Sequence, residues 1–352
     1  MARRAQIIGW GKCVPERVMT NFELERLVDT SDQWIRTRTG IVERRIAGPG
    51  ETTFSLALGA ALEAIEVADI NPARIDMVIV ATSTPDYGAF PSVASLVQHA
   101  IGATNAGAFD LNAACSGFAY GFAVAGDMIA SGNHRTILLI GAETMSRIID
   151  WTDRSTCVLF GDGAGAVVLQ ATDGEAGVLS TVLGSDGSGA HLLCVPAGGS
   201  RLPASPDTVA ARQHYIRMDG REVYRFAVNV MSRAAREAIA RAGLSLEDID
   251  LFIPHQANIR IIQSAARSLD LPPEKVFVNV DRYGNTSSAS IPIALCEALE
   301  QGRIHPSDHL VFVGFGAGLS WGAAVVQWGV PVPPQRRRSL EATSQQCMSL
   351  SP

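Results

Sequence analysis

Short apolar runs rich in β-branched residues alternate along the chain with longer segments in which apolar residues recur at helical spacing. This alternation is typical of an α/β protein built from layers of sheet and helix. The apolar runs predict strands at residues 6–9, 77–81, 108–111, 137–140, 166–169, 251–253, 276–280, 310–313 and 323–328. The segments with helical spacing predict helices at residues 53–68, 92–101, 116–130, 220–242, 258–269 and 290–300.

Three of these strands recur in the same order in the second half of the chain, at an offset of roughly 170 residues. Short matches of this kind also arise by chance, because βαβ units resemble one another. We predict two similar α/β halves, at residues 1–173 and 174–330, and a flexible Pro-, Arg- and Ser-rich tail at residues 331–352. The matching pairs are 76–80 with 250–254, 108–111 with 277–280, and 137–141 with 310–314.

Composition narrows the range of functions. Only 18% of the 352 residues are charged and 33 are glycine, which indicates a large interior with many tight turns. The net charge of −6 excludes a general nucleic-acid binder, so an acidic partner would need a local basic patch. No apolar run has the length of a signal peptide or a membrane span, so we expect a cytoplasmic protein without a membrane partner. The cysteines are too widely spaced for a zinc knuckle or a disulfide scaffold, at positions 13, 115, 157, 194, 296 and 347.

One cysteine, Cys115, lies between the predicted strand 108–111 and the predicted helix 116–130. The free N–H groups and the dipole of a helix N-terminus favour a thiolate, which is the nucleophilic form of cysteine. The small residues 113–117 around it leave room for a substrate. A single cysteine among Ala and Gly is more often an inert buried residue, so a catalytic role for Cys115 requires partners elsewhere in the chain.

Candidate partners are His255, Asn285 and the glycine-rich residues 314–318, because each directly follows a predicted strand. Ligands gather beyond the carboxyl ends of strands in α/β sheets, and such groups can stabilise an oxyanion. If the halves are duplicates, Cys115 and Asn285 occupy near-equivalent positions. Each feature also has a structural interpretation, as a histidine that caps the next helix, an Asn in a turn, and a tight glycine loop.

A dinucleotide-binding pattern at Gly161–Ala166 does not support a nicotinamide cofactor. In a binding site this pattern follows a strand and opens a helix. Here it leads into the predicted strand 166–169, so we interpret it as a turn between strands. We predict neither a nicotinamide cofactor nor a metal.

Several segments together resemble the β-ketoacyl-(acyl carrier protein) synthase III family of thiolase-like condensing enzymes. The resemblance covers about residues 5–328. Chalcone-synthase-like enzymes also use Cys, His and Asn, but the segments His-Gln-Ala-Asn at 255–258 and Thr-Arg-Thr-Gly-Ile at 37–41 favour the type III synthases. The segments that carry the resemblance are 30–40, 90–92, 113–117, 153–155, 160–165, 254–258, 284–287 and 314–321.

The resemblance implies a thiolase-like α/β fold, in which two duplicated halves form a layered αβαβα core. It also implies that Cys115 takes acetyl or another short acyl group from acyl-CoA as a thioester. His255 and Asn285 then hold the thioester oxygen of malonyl-acyl carrier protein while carbon dioxide leaves, and the enolate attacks the acyl group on Cys115. The backbone N–H groups of Cys115 and Ala317 form the oxyanion hole. This reaction initiates type II fatty-acid synthesis.

The resemblance also assigns binding residues, and it implies a homodimer in which Phe90 crosses the interface to close the acyl pocket of the partner. No cofactor is tightly bound, because acyl-CoA is a substrate. The implied CoA contacts are Thr30, Trp34, Arg38, Arg154 and Asn258. The implied acyl-pocket residues are Phe90, Met145 and Phe160. The implied contacts with the acyl carrier protein are Arg225, Gln256, Arg260 and Arg267.

Two other functions stay open on the sequence. One is an acyltransferase of secondary metabolism, with the same fold and a different primer or acceptor. The other is a catalytically silent partner subunit of a condensing complex. The second is disfavoured because a silent partner is expected to lack the cysteine nucleophile, whereas positions 115, 255 and 285 all carry reactive residue types.

Overall fold

Two β-sheets lie in layers between helices in the computed structural model, which describes residues 3–331. Apart from Pro331, the predicted tail at 331–352 lies outside the described residues. The strands are β1 (Arg4–Cys13), β2 (Val18–Thr20), β3 (Glu43–Arg45), β4 (Met77–Ala81), β5 (Gly107–Leu111), β6 (Thr136–Thr144), β7 (Asp162–Thr172), β8 (Gly177–Ser185), β9 (Leu193–Cys194), β10 (Arg217–Met218), β11 (Leu251–Pro254), β12 (His309–Gly316) and β13 (Ser320–Gln327).

The helices form three layers around the two larger sheets. Helices α3 and α4 pack on the first sheet, α5 and α11 contact strands of both sheets, and α8 packs on the second sheet with α9 against it. The order is therefore αβαβα, as the resemblance implies. The helices are α1 (Asn21–Leu24), α2 (Asp32–Thr39), α3 (Thr53–Ala68), α4 (Val93–Ala100), α5 (Gly117–Ala130), α6 (Arg154–Cys157), α7 (Pro206–Ala210), α8 (Gly220–Arg241), α9 (Ile259–Ser268), α10 (Val280–Tyr283) and α11 (Ser290–Glu300).

The two sheets repeat one topology. The first has the order β5-β4-β6-β7-β1 and the second the order β11-β12-β13-β8. In each sheet the strands β4 and β6, or β11 and β12, are parallel, and the later pairs are antiparallel. Val276 forms a parallel bridge with Phe252 of β11, in the place that β5 takes beside β4. The predicted division between residues 173 and 174 falls between β7 and β8, and we propose it as the boundary of the halves.

The predicted strand at 276–280 is wrong beyond its first residues. Phe277 still donates its N–H to the carbonyl of Phe252, at 2.9 Å, but Val280 already begins α10. At Asn279 the backbone N–H bonds to the side chain of Gln256 instead of to a strand, at 3.0 Å, which ends the pairing. The structure also adds α2 and β8, which the apolar pattern did not reveal.

The layer between the sheets positions the first candidate residue. Helix α5 begins at Gly117 and carries Phe118 and Phe122, whose rings meet Phe312 of the second sheet edge-to-face, at centroid distances of 6.4 and 5.5 Å. On its other side, a Cβ at Gly121 would lie 2.5 Å from the Leu139 side chain of the first sheet. The helix is thus fixed between both sheets, and this also fixes the residues that directly precede it.

A second fixed point of this layer is the buried carboxylate of Glu297 on α11. It accepts hydrogen bonds from Asn279 (3.0 Å), from both terminal nitrogens of Arg282 (3.0 and 2.6 Å) and from Tyr283 (2.6 Å), and Lys12 lies 3.4 Å away. Burial by itself raises the pKa of Glu297, but Lys12 and then the hydrogen-bond donors outweigh it and lower the pKa. The charged form of Glu297 therefore stabilises the fold.

We expect Glu297→Gln to lower the free energy of unfolding by about 2 kcal/mol at pH 7, because hydrogen bonds to a charged group are lost. The pKa of Glu297 is lower in the folded protein, so its stabilisation is present above the unfolded pKa and disappears as the pH falls through the folded pKa. Urea unfolding at pH 7 and at acidic pH measures the difference, which should shrink below about pH 4.

Glu300→Gln is the matched control. Glu300 also pairs with Lys12, at 2.7 Å, but its side chain is 43% exposed. We expect a loss of less than about 1 kcal/mol. Equal losses in the two variants, or a loss at Glu297 that does not change with pH, would contradict this account.

Candidate active site

Cys115 lies in a single 3₁₀ turn, Ala114–Ser116, between β5 and α5. The side chain is buried, with 7% of the residue exposed. The end of β12 lies directly against this turn: a Cβ at Gly316 would stand 2.7 Å from the backbone nitrogen of Cys115. Only a glycine permits this close approach of β12 to the backbone of Cys115.

The helix start was expected to favour a thiolate at Cys115, but burial outweighs that effect. Burial raises the pKa of Cys115 to about 12, and the nearby carboxyl of Glu143 raises it further. Hydrogen bonds from Ser287 and from its own backbone N–H lower the pKa by less than burial raises it. The resting group is therefore a thiol, which must lose its proton as the sulfur attacks.

His255 follows β11 and is buried, with 1% exposed. Its backbone N–H donates to the carbonyl of Val313 at 2.8 Å, its ring Nδ1 lies 2.6 Å from Ser290 Oγ, and its ring meets Phe315 edge-on. Burial lowers the pKa of His255 to about 3, so the imidazole is neutral at physiological pH. His255 is not the cap of α9, because Asn258 accepts the capping N–H of that helix.

Asn285 is held by its own backbone and by its turn. Its N–H donates to Leu159 and its carbonyl accepts from Gly161, at 2.8 and 3.0 Å, and its Oδ1 accepts the N–H of Ser287 at 2.8 Å. None of these hydrogen bonds uses its Nδ2 group. Asn285 therefore presents a free amide donor next to the turn Ser287–Ala289.

Cys115 and Asn285 were expected at near-equivalent positions, and the structure shows an offset of three residues between them. The structural counterpart of Asn285 is Asn112, whose Oδ1 accepts the N–H of Ala114 at 3.2 Å, just as Asn285 accepts that of Ser287. Ala114 and Ser287 both have left-handed φ angles, of 48° and 51°. The turn Ala114–Ser116 thus corresponds to Ser287–Ala289, and Cys115 corresponds to a serine at 288.

Glu143 on β6 is a site residue that sequence reasoning missed. Its fully buried carboxyl accepts hydrogen bonds from Ser83 N–H (3.1 Å), Thr84 Oγ1 (2.5 Å), Ser287 Oγ and Ser288 Oγ (both 3.0 Å). Burial raises the pKa of Glu143. The signal was a single acidic residue at the end of an otherwise apolar strand, at residues 136–144.

These contacts bring the candidate residues together. The turn Ala114–Ser116 packs against the turn Ser287–Ala289 and against β12. His255 joins them through Ser290, the first residue after the second turn. The two turns and the ends of β11 and β12 therefore enclose one buried region with a thiol, a neutral imidazole and an amide.

Two family profiles match the chain, 3-oxoacyl-[acyl-carrier-protein] synthase III at residues 109–187 and the C-terminal part of that family at residues 239–328. The β-ketoacyl-[acyl-carrier-protein] synthase III of Symbiobacterium thermophilum is 57% identical over 327 residues, which are 93% of this chain and 99% of the relative. The chain belongs to the β-ketoacyl-[acyl-carrier-protein] synthase III family. The predicted family is thereby confirmed.

Solved structures agree with this family. The synthase III structure from Thermus thermophilus is 50% identical, with a TM-score of 0.86 over 92% of this chain and 99% of that chain. The priming β-ketosynthase of the R1128 polyketide pathway is 38% identical, with a TM-score of 0.86 over 93% of this chain and 97% of that chain. The predicted thiolase-like fold is therefore confirmed as well.

The residues that resemble CoA contacts of the synthase III family lie along α2 and its neighbours. The Arg154 guanidinium stacks over Trp34 at 5.1 Å, so an adenine ring between them would have to separate the pair. At the other end of α2, the side chain of Asn258 donates to the carbonyl of Arg38 at 3.1 Å. Thr30 lies just before α2 with a buried hydroxyl that has no partner within residues 3–331.

The residues that resemble the acyl pocket of the family fall into two groups. Met145 and Phe160 are buried in one hydrophobic cluster, and Phe160 bridges to Asn285. Phe90 is 84% exposed, so a single chain does not bury it with the other two. Its role in an acyl pocket therefore requires a second subunit and stays a prediction.

One residue of the predicted carrier-protein surface is not on the surface. Gln256 is 1% exposed, and its amide donates to the carbonyls of Pro254 and Phe277 and accepts from Asn279. All its polar atoms are used internally, so the prediction that Gln256 contacts a carrier protein is wrong. The arginines predicted for this surface are exposed on α8 and α9, at positions 225, 260 and 267.

Residues 162–166 of the pattern Gly161–Ala166 are part of β7, so the interpretation as a turn between strands is wrong, and the pattern does not open a helix as a dinucleotide-binding loop does. Within residues 3–331 no cluster of three or more His, Cys, Asp or Glu side chains could hold a metal ion. None of the helices in this described part of the chain is both long and apolar enough to span a bilayer.

We expect Cys115 to be alkylated by iodoacetamide with a rate that rises about tenfold per pH unit between pH 7 and pH 10, because the thiolate fraction of a thiol with a pKa of about 12 rises in this way. Ser287→Ala should slow the reaction at each pH, since it removes a bond that lowers the pKa of Cys115. Mass spectrometry of the labelled peptide measures the rate.

Ser288→Ala removes a neighbouring buried hydroxyl that, like Ser287, donates to Glu143, but its second partner is the carbonyl of Ala81 and not Cys115, so its rate should stay close to that of the wild type. A plateau near pH 7 in the wild type would show a thiolate held by the helix start and would refute the role of burial.

Proposed function

We propose that this protein condenses acetyl-CoA, or another short acyl-CoA, with malonyl-acyl carrier protein and so initiates type II fatty-acid synthesis. Family membership supports the reaction class, a decarboxylative Claisen condensation by an acyltransferase. The observation that carries the mechanism is the enclosure of Cys115, neutral His255 and the free amide of Asn285 in one buried region.

In the first half-reaction, the sulfur of Cys115 bonds to the acyl carbon and the bond from that carbon to the CoA sulfur breaks. The thiol proton of Cys115 ends on the departing CoA thiol. The negative charge that develops on the carbonyl oxygen would be stabilised by the N–H groups of Cys115 and Ala317, and the close approach of Gly316 to the backbone of Cys115 supports this assignment. Storage of the acyl group on Cys115 divides one difficult step into two.

In the second half-reaction, His255 and Asn285 donate hydrogen bonds to the thioester oxygen of the malonyl group. The bond to its carboxylate breaks, carbon dioxide leaves, and the electron pair forms an enolate. The enolate carbon attacks the acyl carbon on Cys115, and Cys115 leaves as a thiolate that is then protonated. Neutral donors suit this step because negative charge develops on the thioester oxygen only as the bond to the carboxylate breaks.

The structure supports matching proposals for partners. Arg154 and Trp34 would bind the adenine of CoA, with Arg38, Thr30 and Asn258 along the same path. The exposed basic residues of α8 and α9 would dock the acidic carrier protein. We further propose a cytoplasmic enzyme with no tightly bound cofactor.

A homodimer is part of this proposal. Strand β5 is at the edge of the first sheet, where a second copy could pair with it. Phe90, on the segment before α4, is 84% exposed, and an aromatic side chain at such a position favours burial by a partner.

With acetyl-CoA we expect one acetyl group per chain, found on Cys115 by mass spectrometry, and no labelling of Cys115→Ser. His255→Ala and Asn285→Ala should retain acetyl transfer but lose decarboxylation of malonyl-acyl carrier protein by about a hundred- to a thousandfold, the usual effect of removing one oxyanion donor. Absence of acetyl on Cys115 would refute the proposal. Loss of transfer in the other two variants would refute the division of roles.

A second candidate is an acyltransferase of secondary metabolism, which the similarity to the R1128 priming β-ketosynthase favours. A panel of acyl-CoA primers, tested against malonyl-acyl carrier protein and malonyl-CoA, separates the two. Preference for acetyl-CoA and the carrier-protein thioester supports fatty-acid initiation. A longer or branched primer, or malonyl-CoA as acceptor, supports the second candidate.

A further inference from the structure

The hydroxyl of Ser290 contacts the ring of His255 on the side away from its Nε2 atom. Ser290 Oγ lies 2.6 Å from His255 Nδ1, and both residues are almost fully buried. The same oxygen accepts the backbone N–H of Gln256 at 3.3 Å. A short buried hydrogen bond of this kind decides which ring nitrogen of a histidine carries the hydrogen.

The direction of this hydrogen bond follows from the groups available. A serine hydroxyl has one hydrogen to donate, and the N–H of Gln256 can only donate to it. Among residues 3–331, His255 Nδ1 is the one acceptor within hydrogen-bond reach of the Ser290 hydroxyl. The hydroxyl hydrogen therefore points to Nδ1, which must accept it with its lone pair.

We propose that Ser290 is a positioning residue that holds His255 in the tautomer with hydrogen on Nε2. The inference rests on the proposed function, in which His255 donates a hydrogen bond to the malonyl thioester oxygen. Ser290 contacts Nδ1, on the other side of the ring, so the hydrogen bond leaves Nε2 for a substrate. The other tautomer would present a lone pair to that oxygen and would repel it.

The surroundings of Ser290 keep this arrangement rigid. Ser290 begins α11, which is buried between the sheets, and it directly follows the turn Ser287–Ala289 that packs against Cys115. The ring of His255 also meets Phe315 edge-on, at 5.4 Å between centroids, which limits its rotation. Burial lowers the pKa of His255 to about 3, so the ring carries one proton at neutral pH and the two tautomers can be distinguished.

The test combines a spectroscopic and a kinetic readout on the full chain. Protein labelled with ¹⁵N-histidine is examined by long-range ¹H–¹⁵N NMR, with His255→Gln to assign the signals. The wild type should show a protonated Nε2 and an unprotonated Nδ1. In Ser290→Ala the Nδ1–H tautomer should become populated, because nothing donates to Nδ1 any longer.

The same variant should decarboxylate malonyl-acyl carrier protein about ten- to a hundredfold more slowly, a smaller effect than the complete loss of a donor. Transfer of acetyl from acetyl-CoA to Cys115 should be unaffected, since His255 is not required for it. Ser290→Thr keeps the hydroxyl and should restore both the tautomer and the decarboxylation rate. Ser288→Ala, which removes a buried hydroxyl of the same turn region, should keep the Nε2–H tautomer.

An Nδ1–H tautomer in the wild type would overturn the proposal, as would a Ser290→Ala protein with unchanged tautomer and unchanged decarboxylation. Melting temperatures separate the loss of the hydrogen bond from a general loss of stability. If Ser290→Ala and Ser288→Ala melt at similarly lowered temperatures but only Ser290→Ala changes the tautomer, the tautomer change does not come from destabilisation. If the wild type decarboxylates no malonyl thioester, the proposed function fails, whereas the NMR result still decides the role of Ser290.

Discussion

The candidate site depends on one buried contact, between the turns Ala114–Ser116 and Ser287–Ala289. Each turn leads directly into a helix of the layer between the two sheets. Because that layer is covered on both faces, neither helix can shift without disturbing the packing of a sheet. The position of Cys115 relative to Asn285 is therefore set by the whole core, although the two residues are far apart in the sequence.

Buried polar groups at this contact determine the relative position of the two turns. A buried carboxyl without hydrogen bonds is costly, and Glu143 receives four of its donors from the strand end at 83–84 and from the second turn. Gly141 on the same strand permits the close approach, because a Cβ there would lie 2.4 Å from the carbonyl oxygen of Ser288. The turn that follows Asn285 can therefore pack against this face of the first sheet in only one position.

The internal repeat indicated two similar α/β halves, and two of its three matched pairs, β4 with β11 and β6 with β12, are equivalent strands of the two sheets. The positions of Cys115 after β5 and of His255 after β11 were predictable from the apolar runs, whereas Asn285 follows α10 and not a strand. The orientation of Gln256 was not predictable, because a strand end offers no periodicity from which to decide whether the next side chain faces the core or solvent. The exact counterpart of Asn285 was missed, since two asparagine turns become comparable only when the φ angles of Ala114 and Ser287 are known.

The same burial moves the pKa values of the two titratable residues in opposite directions, and this has a chemical consequence. Desolvation disfavours the charged form of each group, so Cys115 is a thiol with a pKa of about 12 and His255 a neutral imidazole with a pKa of about 3. An imidazolium beside a new enolate is acidic enough to protonate its carbon and end the reaction early. A neutral imidazole holds the enolate oxygen by a hydrogen bond and keeps its own proton, so the enolate carbon is free to attack the acyl group on Cys115.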